Sequence, residues 1–225
     1  MPYVEGRIIH DADSHLMELP DCLDPYFSRP MLARYHALPI FKHKLGAPGW
    51  ADKARAQHED PEFRAGAEAN ILLRKNQQAL GAFRPADRPK AVDYLGFASQ
   101  LVFTTFCLGN FQLEYGDDVD IAYAAATAHN RMMTDFCSVD RRLLPTGYVP
   151  LMDFARAAEA TREAIELGAK AILIASRCPK GHSPSHIGFD PIWAQAQEAG
   201  LPILFHVGGE EKLRPDYFEI GRAHV

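Results

Sequence analysis

The sequence predicts an α/β fold in which about five parallel strands alternate with helices, and three observations lead to this prediction. Five short, near-continuous apolar runs recur along the chain, as is typical of parallel strands whose sheet is covered by helices. From residue 86 onward, these runs alternate with segments that carry apolar residues at helical spacing. The 225 residues are 47% hydrophobic, which is enough for one domain with a sizeable core.

The first predicted strand is the apolar run at residues 6–10, and it leads directly into Asp11, Asp13 and His15. Because side chains alternate along a strand, these three are expected to leave on one face. Ionisable groups on a buried face are unfavourable unless something pairs them. Carboxylate oxygen and imidazole nitrogen are ordinary ligands of divalent metals. The motif therefore indicates a metal site, and the alternative is a polar strand end in which Asp13 or Ser14 caps a helix.

A long segment without clear periodicity follows this strand, over about residues 19–85. It contains many prolines and scattered aromatic residues. A loop of this length inside a compact domain is usually functional, as a lid or a pocket wall. Glu18 lies just before it and is a candidate for contact with metal, water or substrate. A capping or surface carboxylate is the alternative reading of Glu18.

The remaining elements follow in a regular order. Helices are predicted at 86–95, from Asp117 onward, from Asp153 to Gly168 and from Asp190 onward, since each has a capping or terminating residue. Strands are predicted at 98–106, 143–151, 170–175 and 201–207.

The fifth predicted strand carries His206 at its carboxyl end. A lone histidine in this position is often bonded to a carbonyl group of the core. However, both polar clusters lie at the exits of buried strands, and in an α/β barrel these exits form the face where active sites are built. This placement favours a shared site.

The sequence motifs of several protein classes are absent from this chain. The chain has no Gly-x-Gly-x-x-Gly turn after the first strand, no phosphate loop and no Gly-x-Ser-x-Gly elbow. A net charge of −5, mixed in sign, gives no indication of nucleic acid or of an anionic membrane. The amino terminus has no apolar signal region, and no run approaches the length of a membrane span. The widely spaced cysteines suggest reduced thiols and a cytoplasmic protein; they are Cys22, Cys107, Cys137 and Cys178.

Six stretches of the chain together carry a family resemblance: 11–15, Asn130, 140–143, 166–168, 189–193 and 201–206. In these stretches the chain resembles the amidohydrolase-related family, the branch of the amidohydrolase superfamily that includes aminocarboxymuconate-semialdehyde decarboxylase. The resemblance covers nearly the whole chain outside residues 19–80. It implies a distorted (β/α)8 barrel of the TIM type, of which about five βα units are present here, with a long insertion after strand 1.

The resemblance also implies a set of metal ligands. The family's usual set is a His-x-His pair on the first strand, a histidine on the fifth and an aspartate on the eighth. The pair falls on Asp13 and His15, and the fifth-strand ligand falls on His206. Asp13 departs from the common histidine, which shifts the preference from zinc toward harder ions such as manganese. We therefore expect one divalent ion, zinc or manganese, with Asp11 beside the ligands and not among them.

For function, the resemblance implies a metal-dependent enzyme that acts on a small organic substrate. The first possibility is hydrolysis of an amide, ester or lactone by metal-activated water. The second is non-oxidative decarboxylation of an aromatic or enol-like acid. His182 and His186, in the loop after the fourth strand, are candidates for substrate contact, with exposed loop residues as the alternative. No nucleic-acid or membrane partner is expected, and the resemblance admits a homo-oligomer.

The carboxyl-terminal end departs from the family pattern. The histidine after the family's sixth strand and the aspartate on its eighth have no counterpart. Residues 219–225 read like the translation of a common sequencing adapter. We therefore expect an incomplete metal-dependent barrel domain at 1–219 and a non-native tail at 220–225, in which His224 has no role. A genuine short tail is the alternative, and an inactive fragment with open sheet edges is a third functional hypothesis.

Overall fold

Five parallel strands form one sheet in the structure, a computed structural model that describes residues 2–38, 49–176 and 178–207. Each strand lies beside the strand that precedes it in the sequence. The sheet curls into part of a barrel with helices between successive strands, which confirms the predicted fold class. The strands are β1 (His10–His15), β2 (Ser99–Phe103), β3 (Leu143–Tyr148), β4 (Ala171–Ala175) and β5 (Ile203–His206).

Seven α-helices are defined within the described residues. Three of them, α1 to α3, lie in the segment predicted as an insertion, and α4 to α7 lie between the strands. A ten-residue 3-10 helix, Phe106–Tyr115, follows β2. None of the helices in the described part of the chain is both long and apolar enough to span a bilayer. The α-helices are α1 (Arg29–His36), α2 (Trp50–Glu59), α3 (Pro61–Ala69), α4 (Arg88–Leu95), α5 (Val119–Cys137), α6 (Phe154–Glu166) and α7 (Asp190–Glu198).

Local signals placed the helix ends well. Asp118 caps α5 by accepting the N–H of Ile121, and Asp153 caps α6 by accepting the N–H of Arg156. Gly96 follows α4 with a φ of +76°, a left-handed conformation that glycine adopts without strain. These side-chain and backbone preferences act within a few residues, so the sequence alone reveals them.

The predicted position of the first strand was wrong. The strand begins at His10, whereas residues 6–9 precede it and Ile8 is 83% exposed. Upstream, the backbone N–H groups of Tyr3 and Val4 donate to the last carbonyls of α4. The apolar character of residues 6–10 therefore did not mark a buried strand, because β1 begins only at His10, directly before the polar motif.

The centre of the sheet contains a proline, which central strands usually exclude. β3 pairs with β2 over residues 143–145 and with β4 over residues 146–148, so Pro145 lies where the pairing changes sides. The hydroxyl of Thr146 donates to the carbonyl of Val102 at 2.8 Å. This side-chain bond satisfies a buried β2 carbonyl next to a residue that has no N–H to offer.

The two faces of the sheet bury different sets of side chains. The outer face packs on α5, α6 and α7, and Gly147 of β3 allows α6 to approach closely: a Cβ on it would lie 2.8 Å from that of Ala164. The inner face carries an apolar cluster that includes Phe103, Tyr148 and Leu173. This cluster forms the floor beneath the strand exits. Residues 208–225, with the predicted tail at 220–225, lie outside the described residues.

Candidate metal centre

β1 carries an irregularity in its pairing with β2, inside the motif. Asp11 pairs with Gln100 and Ser14 pairs with Val102, so three steps along β1 match two along β2. Such a bulge adds one residue and re-aims the side chains beyond it. The expectation that all three ionisable side chains of the motif share a face is therefore wrong for Asp11. Its Oδ2 accepts a hydrogen bond of 3.2 Å from Nε2 of Gln100, while its Oδ1 accepts the N–H of Asp13.

Asp13, His15 and His206 bring their donor atoms together at the carboxyl ends of β1 and β5. One oxygen or nitrogen from each lies within 4.8 Å of the others. Nε2 of His15 is 3.2 Å from Oδ1 of Asp13 and 3.4 Å from Nε2 of His206. Nε2 of His206 is 4.0 Å from the same carboxylate oxygen. These are the three residues that the sequence predicts as ligands.

Each imidazole is oriented by a contact of its other ring nitrogen. Nδ1 of His206 lies 2.5 Å from the carbonyl oxygen of Val207, and Nδ1 of His15 lies 3.0 Å from the hydroxyl oxygen of Thr105. A carbonyl only accepts, so Nδ1 of His206 carries the proton and its Nε2 presents a lone pair. The Thr105 hydroxyl can either donate to Nδ1 of His15 or accept from it, and the ring orientation that this contact supports directs Nε2 toward the Asp13 carboxylate.

The chemistry of this donor set fits a first-row divalent metal. One carboxylate oxygen and two imidazole nitrogens are its common ligands, and three protein ligands leave positions open for water or substrate. The two Nε2 atoms lie 3.4 Å apart, which is close enough for both to bind one ion.

One side of the centre is apolar and the other side is open. The Phe103 ring lies with its centroid 5.6 Å from that of His15 and 5.1 Å from that of His206. The two histidine side chains are 23% and 15% exposed, whereas that of Asp13 is 76% exposed. A ligand can therefore approach from the Asp13 side, while Phe103 keeps water from the opposite side.

Glu18, the predicted catalytic carboxylate, lies apart from the three donor atoms. Its side chain is buried and accepts the backbone N–H groups of Thr105 and Phe106 at 3.0 Å, together with the hydroxyl of Thr104. Burial raises the pKa of Glu18 to about 7, against the lowering effect of these backbone N–H groups. The structure places this carboxylate in a cradle formed by the turn that leaves β2.

His182 and His186, the predicted substrate-contact residues, pack around one phenylalanine ring. Both ring centroids are 4.7 Å from that of Phe154, and His186 stacks on it at an angle of 14°. Nδ1 of His186 also accepts the N–H of Gly188 at 3.0 Å. These contacts order the loop after β4, and a role in substrate binding stays a prediction.

Sequence reasoning missed Thr105 and Arg88. Thr105 lies inside the strand predicted at 98–106, whereas β2 ends at Phe103, so the overlong predicted strand concealed its position at a strand end. Arg88 is 7% exposed; its guanidinium donates to the hydroxyl of Ser14 at 2.5 Å and to the carbonyl of His15 at 3.3 Å. No local sequence pattern predicts the burial of this guanidinium, because the burial depends on how α4 packs against β1.

Comparison with known proteins identifies the family. A family model described as amidohydrolase matches residues 11–223 of the chain. The chain belongs to the amidohydrolase family. This confirms the resemblance seen in the sequence. No curated protein matches the chain.

Solved structures similar to this amidohydrolase-family chain include one amidohydrolase and one decarboxylase. An amidohydrolase from Mycobacterium avium subsp. paratuberculosis is 18% identical with a TM-score of 0.67; the match covers 98% of this chain and 63% of that one. Two structures of 5-carboxyvanillate decarboxylase from Novosphingobium aromaticivorans, with manganese and a hydroxy-methoxy-nitrobenzoic acid, are 22% identical with TM-scores of 0.55. They cover 96% of this chain and 56% and 55% of theirs. At these identities, the likeness shows the shared fold.

Proposed function

We propose that this amidohydrolase-family chain carries the metal-binding part of an enzyme that acts on a small organic substrate. Asp13, His15 and His206 would hold one divalent ion. The observation that supports this most strongly is that one donor atom from each, on the first and fifth strands, lies within 4.8 Å of the others. A carboxylate among the donors favours manganese, and zinc is the alternative.

The residues around the proposed ion would orient its ligands, exclude water and leave a side open for substrate. When bound, the ion would polarise a substrate oxygen and lower the pKa of a water molecule. Thr105 and the Val207 carbonyl hold the Nδ1 side of the two imidazoles, so that both Nε2 atoms face the ion. Phe103 excludes water from the floor, and the exposed Asp13 borders the side from which substrate enters.

For the reaction, we propose hydrolysis of an amide, ester or lactone, which the family description supports. Non-oxidative decarboxylation of an aromatic or enol-like acid is the second candidate. It is favoured by the Asp13 carboxylate and by the similarity of fold to a manganese-containing decarboxylase. A small-molecule substrate serves both reactions, and neither requires a nucleic acid or a membrane.

The proposed centre is tested by the metal content of the purified 225-residue chain. We expect about one equivalent of manganese or zinc by elemental analysis, and loss of that metal in Asp13→Ala and in His206→Ala. His182→Ala is the matched control, because that histidine packs on Phe154, and it should keep the metal. Absence of metal from the parent, or retention in both ligand variants, would contradict the proposal.

The two reactions are separated by product analysis on the metal-loaded chain. Release of carbon dioxide from a carboxylated phenol would support decarboxylation, and cleavage of aryl esters or lactones would support hydrolysis. A chain that binds metal and catalyses neither reaction would support the third hypothesis, that of an inactive fragment.

A further inference from the structure

We propose that Glu18 is a positioning residue that sets the orientation of the His15 ring through the turn at residues 104–106. The inference rests on the proposed metal centre, because it explains how one ligand of that centre is held. It gives Glu18 a role that differs from direct contact with metal or substrate.

The first link is the contact between Glu18 and the turn. The segment after β1 begins as a continuation of the ladder, since the N–H of Leu16 donates to the carbonyl of Phe103 at 2.8 Å. Beyond that point β2 turns away, and the Glu18 carboxylate bonds the groups that would otherwise lack partners. Both of its oxygens accept the N–H of Thr105 at 3.0 Å, and Oε2 also accepts the N–H of Phe106.

The second link is the contact between the turn and the ligand. The hydroxyl oxygen of Thr105 lies 3.0 Å from Nδ1 of His15. The same residue thus donates its backbone N–H to Glu18 and presents its side chain to His15. When Nδ1 of His15 donates to this hydroxyl, its Nε2 keeps a lone pair that faces Asp13 and His206.

The hydrogen-bond donors around the Glu18 side chain explain why this residue is an acid. Two backbone N–H groups and the hydroxyl of Thr104 all point at the carboxylate, which accepts at both oxygens. A glutamine has nearly the same shape, but its amide nitrogen would face a donor, and the turn would have to move to relieve that contact. Glu18→Gln therefore tests the chemistry of the cradle with little change in volume.

The variants that test the chain of contacts are Glu18→Gln, Thr105→Val and the double variant. Thr105→Val keeps the backbone N–H and the shape but removes the hydroxyl, and Thr105→Ser restores the hydroxyl. Urea unfolding establishes that each variant is folded. The first readout is the affinity for Mn²⁺, titrated into metal-free protein. The second is the orientation of the His15 ring in the metal-free chain at pH 8, read from nuclear Overhauser contacts between the His15 and Phe103 rings.

We expect each single variant to weaken Mn²⁺ binding by about 10- to 100-fold, as is usual when a residue that orients a ligand is lost. The double variant should bind Mn²⁺ no more weakly than the weaker-binding single variant, because both substitutions interrupt the same series of contacts. Thr105→Ser should recover most of the affinity. Losses that multiply in the double variant would overturn the inference, because Glu18 would then act independently of Thr105.

The measurement of ring orientation separates this inference from the proposed function. If the parent chain binds no Mn²⁺, the metal centre is contradicted, yet the orientation of the His15 ring still decides the role of Glu18. We expect the parent to show contacts between the His15 and Phe103 rings, which are stacked in the structure, and Glu18→Gln and Thr105→Val to weaken them. Unchanged ring contacts in Glu18→Gln would overturn the inference, whatever the metal data show.

Discussion

Arg88 holds the carboxyl end of β1 through one buried guanidinium. Besides its bonds to Ser14 and the His15 carbonyl, it donates to the carbonyl of Gly81 at 3.2 Å and to the side-chain oxygen of Gln100 at 2.9 Å. Four acceptors from three separate parts of the chain thus bond to one side chain. A lysine has a single nitrogen and cannot reach the same set of acceptors.

We therefore predict that Arg88→Met lowers the free energy of unfolding by at least about 3 kcal/mol, since each buried acceptor left without a donor costs about 1–3 kcal/mol. Urea denaturation measures the change. The control is Arg55→Met, because Arg55 pairs with Asp21 at an exposed site, where an ion pair contributes less than about 1 kcal/mol. Equal losses in the two variants would contradict the prediction.

Glu18 also makes stability depend on pH. Its pKa in the folded chain is raised to about 7 by burial, so between its ordinary value and about 7 the folded state binds more protons than the unfolded state. Stability is then fully present below pH 4.5 and falls as the pH rises to about 7, by roughly 3 kcal/mol at most. Urea unfolding at pH 5, 6, 7 and 8 should show this fall in the parent. Glu18→Gln should flatten the fall, and an equal slope in both proteins would refute the assignment.

At the scale of elements, the contact between β3 and α6 depends on Gly147. We predict that Gly147→Ala destabilises the chain by about 1–3 kcal/mol, because the added methyl would meet Ala164 and Ala169 at 2.8 and 3.1 Å. Gly66→Ala is the matched control: Gly66 lies in α3, and its new Cβ would be 3.4 Å from the nearest atom, the end of the Arg74 side chain. It should be neutral or stabilising by up to about 1 kcal/mol. Thermal unfolding of both variants tests the contrast.

At this scale, the sequence predicted the features that depend on short-range interactions and missed those that depend on long-range interactions. Capped helices and apolar strands were predictable because neighbours in sequence determine them. The bulge in β1, which separates Asp11 from the ligand face, depends on the register with β2. The candidate ligands could be found because the first motif and His206 match the pattern of the family that the sequence resembles. The contacts around Glu18, in contrast, join residues 87 and 88 positions apart. Such contacts exist only once the strands have paired.

At the scale of the whole molecule, the fifth strand forms one edge of the described sheet. In the part of the chain that the structure describes, β5 pairs with β4 alone, and Phe205 and Val207 are 60% and 65% exposed. An exposed apolar edge strand is a site for association between chains.

We predict that the 225-residue chain self-associates with increasing concentration and that Phe205→Ser shifts it toward the monomer. Sedimentation velocity across a tenfold range of concentration measures the effect. Leu73→Ser is the control, since Leu73 is 76% exposed and lies outside the strands. An equal effect of the two substitutions would show that general surface hydrophobicity, and not the sheet edge, drives association.

The contact between His15 and His206 joins positions 191 residues apart, on the first and fifth strands. Four strand interfaces lie between the two rings, so a small change of twist at each one accumulates before it reaches the Nε2 atoms. The distance between these two candidate ligands therefore depends on how the helices pack against the outer face of the sheet. In the proposed centre, substitutions such as Gly147→Ala, which touch neither histidine, would change the ionic radius that the site prefers. Substitutions between the sheet and its helices could then alter the selectivity between a larger and a smaller cation.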